Sequence, residues 1–209
     1  MIKIALTKGR LEDKTVERFA AAGYDVQAVR DKGRKLILPV GEDIQVVLAK
    51  APDVLTYVER GVCDAGVVGK DTIMEYGGSY YEVADLGFGK CRFALAVPAG
   101  VDFYAGYRTK RIASKYPKVA QDFFARKGMD VEIVKIEGSV ELAPLLGLVD
   151  GIVDIVETGT TLKENGLVVC EYIADLSARF IVNTASMKLK KNALETITAA
   201  LAGDQSKGE

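Results

Sequence analysis

Short apolar runs and amphipathic segments alternate along most of the chain. A run such as IKIAL at residues 2–6 has the length and β-branched content of a buried strand. Residues 11–23 have apolar positions at helical spacing and end at a glycine, which is typical of a surface helix. The other predicted strands are 35–39, 44–50, 65–69, 89–98, 131–137, 151–157, 167–173 and 179–183. The other predicted helices are 52–61, 71–77, 116–128, 140–149, 162–165 and 187–203. Strands separated by helices predict an α/β protein with mainly parallel sheets.

The two long predicted strands, 89–98 and 167–173, indicate how the chain is divided. Each can pass from one lobe to another, which leaves the C-terminal helix to return to the first lobe. This arrangement predicts a discontinuous lobe I of residues 1–92 and 176–209, and a lobe II of residues 93–175. A single domain is the alternative, because no linker rich in Pro or Ser marks a boundary. Two lobes would form a cleft suited to a small ligand.

The composition is that of a globular protein, with 49% apolar and 27% charged residues. A formal charge of −1 argues against a nucleic-acid-binding protein, which would be basic. No stretch approaches the ~20 apolar residues of a membrane span, and the opening MIKIALTKGRL has no signal-peptide pattern. Cys63, Cys91 and Cys170 lie far apart in apolar stretches, which predicts reduced core thiols. We therefore expect a cytoplasmic protein that binds neither nucleic acid nor membrane.

The chain contains no histidine. Its absence excludes Ser-His-Asp and Cys-His catalysis, an imidazole base and His-ligated zinc. The chain also has no CxxC motif, so we expect no transition-metal site built by the protein. Any chemistry must rely on carboxylates, Lys, Arg, hydroxyls, backbone N–H groups and a magnesium ion carried by a ligand.

The stretch GIVDIVETGTTLKENGL, residues 151–167, combines two carboxylates with a small polar loop. Asp154 interrupts the apolar strand and Glu157 ends it, and a buried carboxylate is costly without partners. The loop then opens a short helix, where backbone N–H groups favour an anion such as phosphate. The loop residues are Thr158, Gly159, Thr160 and Thr161. Carboxylates that accept hydrogen bonds from a ribose diol, next to donors for a phosphate, suggest a sugar phosphate. The alternative is a capped helix with a solvated Glu157.

Cationic side chains suited to an anionic ligand occur in the N-terminal part of the chain. Lys8, Gly9 and Arg10 form a KGR turn between a strand and a helix, where backbone and side chains can both meet a phosphate. Arg34 and Lys50 are further candidates. The alternative for the KGR turn is a solvated surface turn, and for Arg34 an ordinary Arg at a strand start.

The stretch GIVDIVETGTTLKENGL resembles the phosphoribosyl pyrophosphate (PRPP) signature of the ATP phosphoribosyltransferase family. MIKIALTKGRL resembles the family's opening strand and KGR loop. Further blocks resemble the family in the same order along the chain: RKLILP, APDVLTYVERGVCDAGVVGKD, DLGFGKCRFALAVP, RIASKYP and EGSVELAPLLGLVDGIVD. As an ordered set they cover nearly the whole chain, which is identified by this resemblance as a member of the family.

The resemblance implies the first step of histidine biosynthesis. In this reaction the 5-phosphoribosyl group of PRPP passes to N1 of the adenine of ATP, and pyrophosphate is released. It implies two lobes of the periplasmic-binding-protein type (type II), an active site in the cleft between them, and Mg²⁺ held mainly by substrate phosphates. The length resembles the family's short form, which works with a regulatory subunit resembling histidyl-tRNA synthetase. We therefore expect a homodimer within a larger hetero-oligomer.

The resemblance also implies roles for individual residues. Arg10, Arg34 and Lys50 are expected to be catalytic. The expected PRPP-binding residues are Asp154, Glu157, Thr158, Gly159, Thr160 and Thr161. The expected pyrophosphate- or ATP-binding residues are Lys8, Gly9, Arg10 and Glu141, and Lys115 and Tyr116 are candidates for the adenine side. No metal ligand is assigned to the protein. The family commonly has Arg where this chain has Lys50, and Lys lacks the planar fork that grips phosphate oxygens in two places.

Other function classes stay open at this point. An ordinary purine or pyrimidine phosphoribosyltransferase would share the pattern of carboxylates before a small loop. Its acidic residues are usually adjacent, however, whereas Ile155 and Val156 separate Asp154 from Glu157 here. A non-catalytic two-lobe protein that binds a small ligand would be expected to show an export signal or a lipid anchor. The third alternative is a catalytically silent member of the family.

Overall fold

The computed structural model describes residues 1–203. The strands are β1 (Ile2–Thr7), β2 (Ile37–Val40), β3 (Ile44–Ala49), β4 (Ala65–Gly69), β5 (Tyr81–Asp85), β6 (Cys91–Pro98), β7 (Lys110–Ser114), β8 (Val131–Lys135), β9 (Gly151–Val156), β10 (Leu167–Leu176) and β11 (Ala178–Val182). The helices are α1 (Arg10–Ala21), α2 (Gln27–Arg30), α3 (Ala51–Glu59), α4 (Lys70–Tyr76), α5 (Pro117–Arg126), α6 (Leu142–Leu145), α7 (Thr160–Glu164), α8 (Thr184–Leu189) and α9 (Lys191–Ala202).

The chain divides into two compact units. Of the described residues, unit 1 holds 1–89 and 177–203, and unit 2 holds 90–176. The boundaries expected from the sequence, after residues 92 and 175, lie close to these junctions.

Unit 1 is built on a six-stranded sheet with the strand order β2-β3-β1-β4-β11-β5. β1 lies between β3 and β4 and runs parallel to both. β2 and β3 are joined by a tight turn at Gly41, whose φ is +61°, and they pair antiparallel. β11 pairs antiparallel with β4 and with β5. The carboxyl ends of β1, β3 and β4 therefore meet at one edge of the sheet.

Helices cover both faces of the unit 1 sheet. Because side chains alternate along a strand, β1 contributes to two cores. Ile4 packs in one core with Phe19 of α1 and Leu194 of α9. Ala5 packs in the other with Val54 of α3. The helices are thus packed on the sheet through their apolar faces, and the KGR turn lies at one edge of this sheet.

Unit 2 is built on a five-stranded sheet with the strand order β10-β6-β9-β7-β8. β7 runs parallel to β8 and β9, whereas β6 pairs antiparallel with β9 and β10. Val153 packs with Phe124 of α5 on one face of the sheet. Ile152 and Val156 pack with Leu162 of α7 on the other. Asp154 lies between Ile152 and Val156 on β9. Because side chains alternate along a strand, Asp154 is on the same face of the sheet as these two residues, which is the face that α7 covers.

The predicted α/β class is confirmed, and both sheets are mixed rather than mainly parallel. Strands that follow one another through a tight turn, such as β2 and β3, must reverse direction and pair antiparallel. The long strands β6 and β10 also pair antiparallel with each other. The alternation of helices and strands in the sequence did not reveal the pairing of β6 with β10.

Several elements differ from the sequence pattern. β5 and β7 are absent from the predicted set, because β5 is largely exposed and β7 begins with two cationic residues. The helix expected at 140–149 is reduced to α6, since Gly147, with a φ of +70°, does not continue a helix. The helix expected at 187–203 is divided at Lys190 into α8 and α9.

The cysteines only partly match the expectation of core thiols. Cys63 is buried, but Cys91 is half-buried and Cys170 is exposed. Cys170 lies on β10, an edge strand with alternate residues open to solvent. Among residues 1–203, no helix has the length and apolar character needed to cross a membrane.

Candidate active site

Asp154 lies on β9, the central strand of the unit 2 sheet. Its neighbours on the same face, Ile152 and Val156, are buried, whereas Asp154 is half-buried. Ala94 stands directly opposite Asp154 on β6. The Ala94 side chain is a single methyl group, and it is buried.

Burial raises the pKa of Asp154 to about 6. A hydrogen bond from the Ile155 backbone lowers this pKa, the nearby Glu141 carboxylate raises it, and the Lys115 ammonium lowers it. In the free protein, partial burial therefore makes the ionised form of this carboxylate costly in solvation free energy. Hydroxyl donors from a ligand would favour the ionised form, so this position suits a polyol such as a ribose diol.

The loop after β9 presents hydroxyl and backbone donors. The Oγ1 atoms of Thr158 and Thr160 are 3.0 Å apart, and the backbone N–H of Thr160 donates to Thr158 Oγ1 at 3.4 Å. Gly159 between them has a φ of +77°, a conformation that a residue with a Cβ adopts only at a cost. Glu157 and Thr161 are exposed on either side of this turn.

A cavity of ≈ 650 Å³ lies against this loop. The residues that line it are Thr158, Gly159, Thr160, Lys163 and Glu164. The threonine hydroxyls and the Lys163 ammonium can donate hydrogen bonds to phosphate oxygens. α7 has only five residues, so these side-chain donors matter more here than a helix dipole.

Lys8, Arg34 and Lys50 lie at one edge of the unit 1 sheet. The backbone N–H of Lys8 donates to the Ala49 carbonyl at 3.0 Å, so Lys8 and Lys50 leave adjacent parallel strands side by side. Because β2 is antiparallel to β3, the turn that precedes β2 and carries Arg34 lies at the same edge. All three residues are exposed. The edge therefore concentrates positive charge in a chain that is almost neutral, as an anionic ligand requires.

Gly9 and Arg10 form the start of α1, where a buried carboxylate holds the turn. Gly9 has a φ of +91°, and its backbone N–H donates to Glu12 Oε2 at 3.3 Å. Glu12 is 3% exposed and forms an ion pair with Lys32 Nζ. The KGR turn is therefore anchored from beneath by an ion pair.

The model of the family described as HisG, ATP phosphoribosyltransferase, matches residues 50–203. This range is well over half of the chain. The chain belongs to the ATP phosphoribosyltransferase family.

The chain is similar to relatives and to a solved structure of this family over almost its whole length. The chain is 61% identical over 197 residues to the ATP phosphoribosyltransferase of Clostridium kluyveri, which covers 94% of this chain and 90% of the relative. It is 58% identical over 197 residues to the ATP phosphoribosyltransferase of Clostridium acetobutylicum, and the match covers 94% of this chain and 92% of the relative. The structure is similar to the ATP phosphoribosyl transferase (HisG:HisZ) complex from Thermotoga maritima, with a TM-score of 0.82 and 34% identity over 96% of each chain. The resemblance drawn from the sequence blocks, including the length of the short form, is confirmed.

A more distant match bears on the fold alone. The periplasmic aliphatic sulphonate binding protein SsuA of Escherichia coli aligns with 99% of this chain and 74% of its own, with a TM-score of 0.58 and 12% identity. The periplasmic-binding-protein type of fold expected for this ATP phosphoribosyltransferase family member is confirmed.

Each unit gathers some of the expected site residues. Unit 2 brings Glu141 close enough to Asp154 to act on its pKa, and the 157–161 loop follows directly. Unit 1 brings Lys8, Arg34 and Lys50 to one edge. Sequence reasoning assigned no role to Glu12, although a Glu three residues into a helix is a recognisable capping signal.

Lys115 is the second residue whose placement the sequence pattern did not reveal. It was a candidate for the adenine side, and the structure places it as an exposed residue directly after β7. The parallel register of β7 with β9 ends at Ser114 and Val153, just before Lys115, and β7 itself carries no clear strand pattern.

Proposed function

We propose that this chain transfers the 5-phosphoribosyl group of PRPP to N1 of the adenine of ATP, giving N1-(5-phosphoribosyl)-ATP and pyrophosphate. This reaction is the first step of histidine biosynthesis. The observation that carries the proposal is the 61% identity over 94% of the chain to an ATP phosphoribosyltransferase. The half-buried carboxylate next to a loop rich in hydroxyls supports it from the chemistry of the site.

PRPP is assigned to the loop and strand end of unit 2. The 5-phosphate would accept hydrogen bonds from Thr158, Thr160 and Thr161 and from the backbone around Gly159. The 2′- and 3′-hydroxyls of the ribose would donate to the carboxylates of Asp154 and Glu157. This division accounts for the presence of acidic and donor groups in one short stretch, since each serves a different part of the ligand.

The cationic edge of unit 1 is assigned to the polyphosphate groups. As pyrophosphate departs, C1 of the ribose gains positive character and the leaving group gains negative charge. Lys8, Arg10, Arg34 and Lys50 would stabilise that charge and orient the phosphates, together with the backbone N–H groups near Gly9. Attack by N1 from the opposite face would invert the configuration at C1. Glu141 is assigned to the ribose or adenine side.

Mg²⁺ is proposed as a cofactor carried mainly by the phosphates of PRPP and ATP. The Asp154 and Glu141 carboxylates are oxygen donors of the kind that magnesium accepts, so the site is chemically compatible with the ion. When bound, the ion would neutralise phosphate charge. The described residues form no group of three or more His, Cys, Asp or Glu side chains arranged to hold a metal.

A regulatory partner is proposed from the structural comparison. The solved Thermotoga maritima structure is a HisG:HisZ complex, and its HisG-like chain is matched over 96% of both lengths. We propose that this chain likewise works with a regulatory subunit resembling histidyl-tRNA synthetase, as a homodimer within a larger hetero-oligomer. A cytoplasmic location is proposed as well, because both substrates are cytoplasmic metabolites.

Pyrophosphate release tests the reaction class. Purified protein would be incubated with PRPP and MgCl₂ and either ATP or adenine, each with and without a regulatory subunit of the HisZ type. We expect release with ATP, no release with adenine, and stimulation by the subunit. Release with adenine in place of ATP would identify an ordinary purine phosphoribosyltransferase. PRPP binding without any turnover would identify a catalytically silent member of the family.

A further inference from the structure

The carboxylate of Glu12 on α1 connects two turns at the cationic edge of unit 1. Its Oε2 accepts from the backbone N–H of Gly9 at 3.3 Å, and its Oε1 accepts from Lys32 Nζ. Gly9 belongs to the KGR turn, and Lys32 begins the turn that carries Arg34. One buried side chain therefore contacts two of the segments that bring positive charge to this edge.

The turn that carries Arg34 is held at both of its ends. The N–H of Lys35 donates to the Lys32 carbonyl at 2.9 Å, so Arg34 lies inside a closed turn. Just after this turn the chain enters β2, which pairs with β3 along its length. Before it, the ion pair of Lys32 with Glu12 attaches the turn to α1. Arg34 itself is exposed, so these two attachments set where its side chain begins.

α1 carries two pairs of Glu with Lys, and they differ in burial. Glu17 pairs with Lys14 at 2.8 Å, and both of these side chains are more than half exposed. Glu12 is 3% exposed, and its partner Lys32 is 20 residues away along the chain. An exposed pair contributes little to the folded state, whereas a buried carboxylate is costly once its partner is lost. Loss of the Glu12 pair is therefore the change that would rearrange the chain.

We propose that Glu12 is a positioning residue for polyphosphate binding, because it fixes the turn of Arg34 to the KGR turn. The inference rests on the proposed function, which assigns this edge of unit 1 to the polyphosphate groups. Cationic side chains gathered at one edge repel one another, so their backbone has to be held by other contacts. Glu12 supplies two such contacts from beneath the edge.

The charge of Glu12 distinguishes positioning from a through-space effect. Glu12→Gln removes a negative charge near an anion site, so a purely electrostatic effect would strengthen phosphate binding. It also breaks the ion pair with Lys32 and releases the turn of Arg34, so positioning predicts weaker binding. Gln keeps a carbonyl oxygen that can accept from the Gly9 N–H, which retains the start of α1. The sign of the change in affinity therefore decides between the two.

Isothermal titration calorimetry of the full chain with sodium pyrophosphate in MgCl₂ measures this affinity. We expect Glu12→Gln to raise the dissociation constant about fivefold or more, because misplaced donors lose much of their contact with the phosphate. Glu17→Gln removes the same charge from an exposed position of α1, and its dissociation constant should stay within about twofold of the parent value. An unchanged or lowered dissociation constant for Glu12→Gln overturns the inference.

A double-variant cycle shows whether the effect passes through Arg34. Arg34→Met alone should raise the dissociation constant at least about tenfold, since a charged donor to the phosphate is lost. Adding Glu12→Gln to it should change the value by less than about twofold. Effects that multiply in full would overturn the inference. If Glu12→Gln does not fold, Lys32→Gln takes its place in the cycle and the same criterion applies.

The same titrations separate this inference from the proposed function on which it rests. If the parent does not bind pyrophosphate, or if Arg34→Met binds it as tightly as the parent, the assignment of this edge fails and the inference fails with it. If the parent and Arg34→Met behave as expected and Glu12→Gln binds like the parent, only the positioning role of Glu12 is rejected.

Discussion

Asp154 on β9 stands opposite Ala94 on β6, so that a half-buried carboxylate faces a single methyl group across the strands. Buried sheet positions normally carry apolar side chains that pack on both sides, as Ile152 and Val156 do on the same strand. The pair instead places a half-buried acidic group beside a buried methyl group. A carboxylate in such surroundings suits a ligand with hydroxyl donors, and it motivates the first two predictions.

Asp154→Asn should raise the KM for PRPP at least about tenfold and change the KM for ATP by less than about twofold. The ribose hydroxyls lose a charged acceptor, and such hydrogen bonds contribute about 1.5–3 kcal/mol. Initial rates measured against each substrate in turn provide the check. Asp122→Asn is the matched control, since Asp122 is exposed on α5 and pairs with Lys118. Equal losses for both substrates would reject the ribose assignment.

Asp154→Asn should also stabilise the protein without substrates, in a pH-dependent way. The pKa of Asp154 is about 6 in the folded state against an ordinary value of 3.8, so the folded state binds this proton more tightly. Ionisation of Asp154 therefore lowers the unfolding free energy as the pH rises from about 3.8 to 6. The variant lacks this loss and should be more stable by up to about 3 kcal/mol above pH 7, with little gain below pH 4. Urea unfolding at pH 4 and pH 7.5 measures the difference, and a variant less stable at pH 7.5 would contradict it.

Gly159→Ala should weaken PRPP binding more than its effect on stability explains. Gly159 and Gly166 flank α7 with φ values of +77° and +67°, so alanine at either position should cost about 1 kcal/mol or more. Gly166→Ala is therefore the matched control. We expect similar falls in unfolding free energy for the two variants, but a raised PRPP dissociation constant, measured by calorimetry, for Gly159→Ala alone. Equal PRPP dissociation constants for the two variants would contradict the assignment of this loop to the 5-phosphate of PRPP.

Asp64→Asn should destabilise unit 1 by about 2–4 kcal/mol. The Asp64 carboxylate accepts from Lys190 Nζ at 2.9 Å, from Ser186 Oγ at 2.7 Å and from the Lys3 backbone at 2.9 Å. Burial acts to raise the pKa of Asp64, but these hydrogen bonds outweigh it and hold the pKa below its ordinary value. The stabilisation should therefore be present above pH 4 and lost as the pH falls through the folded-state pKa.

Chemical unfolding of Asp64→Asn at pH 7 checks this prediction. Asp43→Asn, a change at an exposed position, serves as the control and should shift stability by less than about 0.5 kcal/mol. If both variants behaved alike, the hydrogen bonds and ion pair of Asp64 would have no special role in stability.

The predictability of the fold from sequence depended on how local each signal was. The strand at β9 and its loop were evident because Asp154 breaks an apolar run and Gly159 follows within five residues. The break at Lys190 was not evident, and Lys190 forms its ion pair with Asp64, 126 residues away along the chain. β7 was also missed, because its strand character comes from pairing with β8 and β9 rather than from its own sequence.

The same distinction applies to the candidate site. Residues within one motif, such as Lys8 to Arg10 and Glu157 to Thr161, could be named from spacing and turn chemistry. Lys115 directly follows β7, a strand that is evident only from its pairing with β8 and β9, and Ala94 is placed opposite Asp154 by the register of β6 with β9. Such relationships depend on tertiary pairing and leave little trace in a single sequence.

Product identification tests the central claim most directly. The purified chain, with a HisZ-type regulatory subunit, would be incubated with ATP, PRPP and MgCl₂, and the product analysed by mass spectrometry and by NMR of the adenine ring. We predict one phosphoribosyl group attached at N1 of intact ATP, with one pyrophosphate released per adduct. A product with the phosphoribosyl group elsewhere, or PRPP hydrolysis without an adduct, would contradict the proposed transfer.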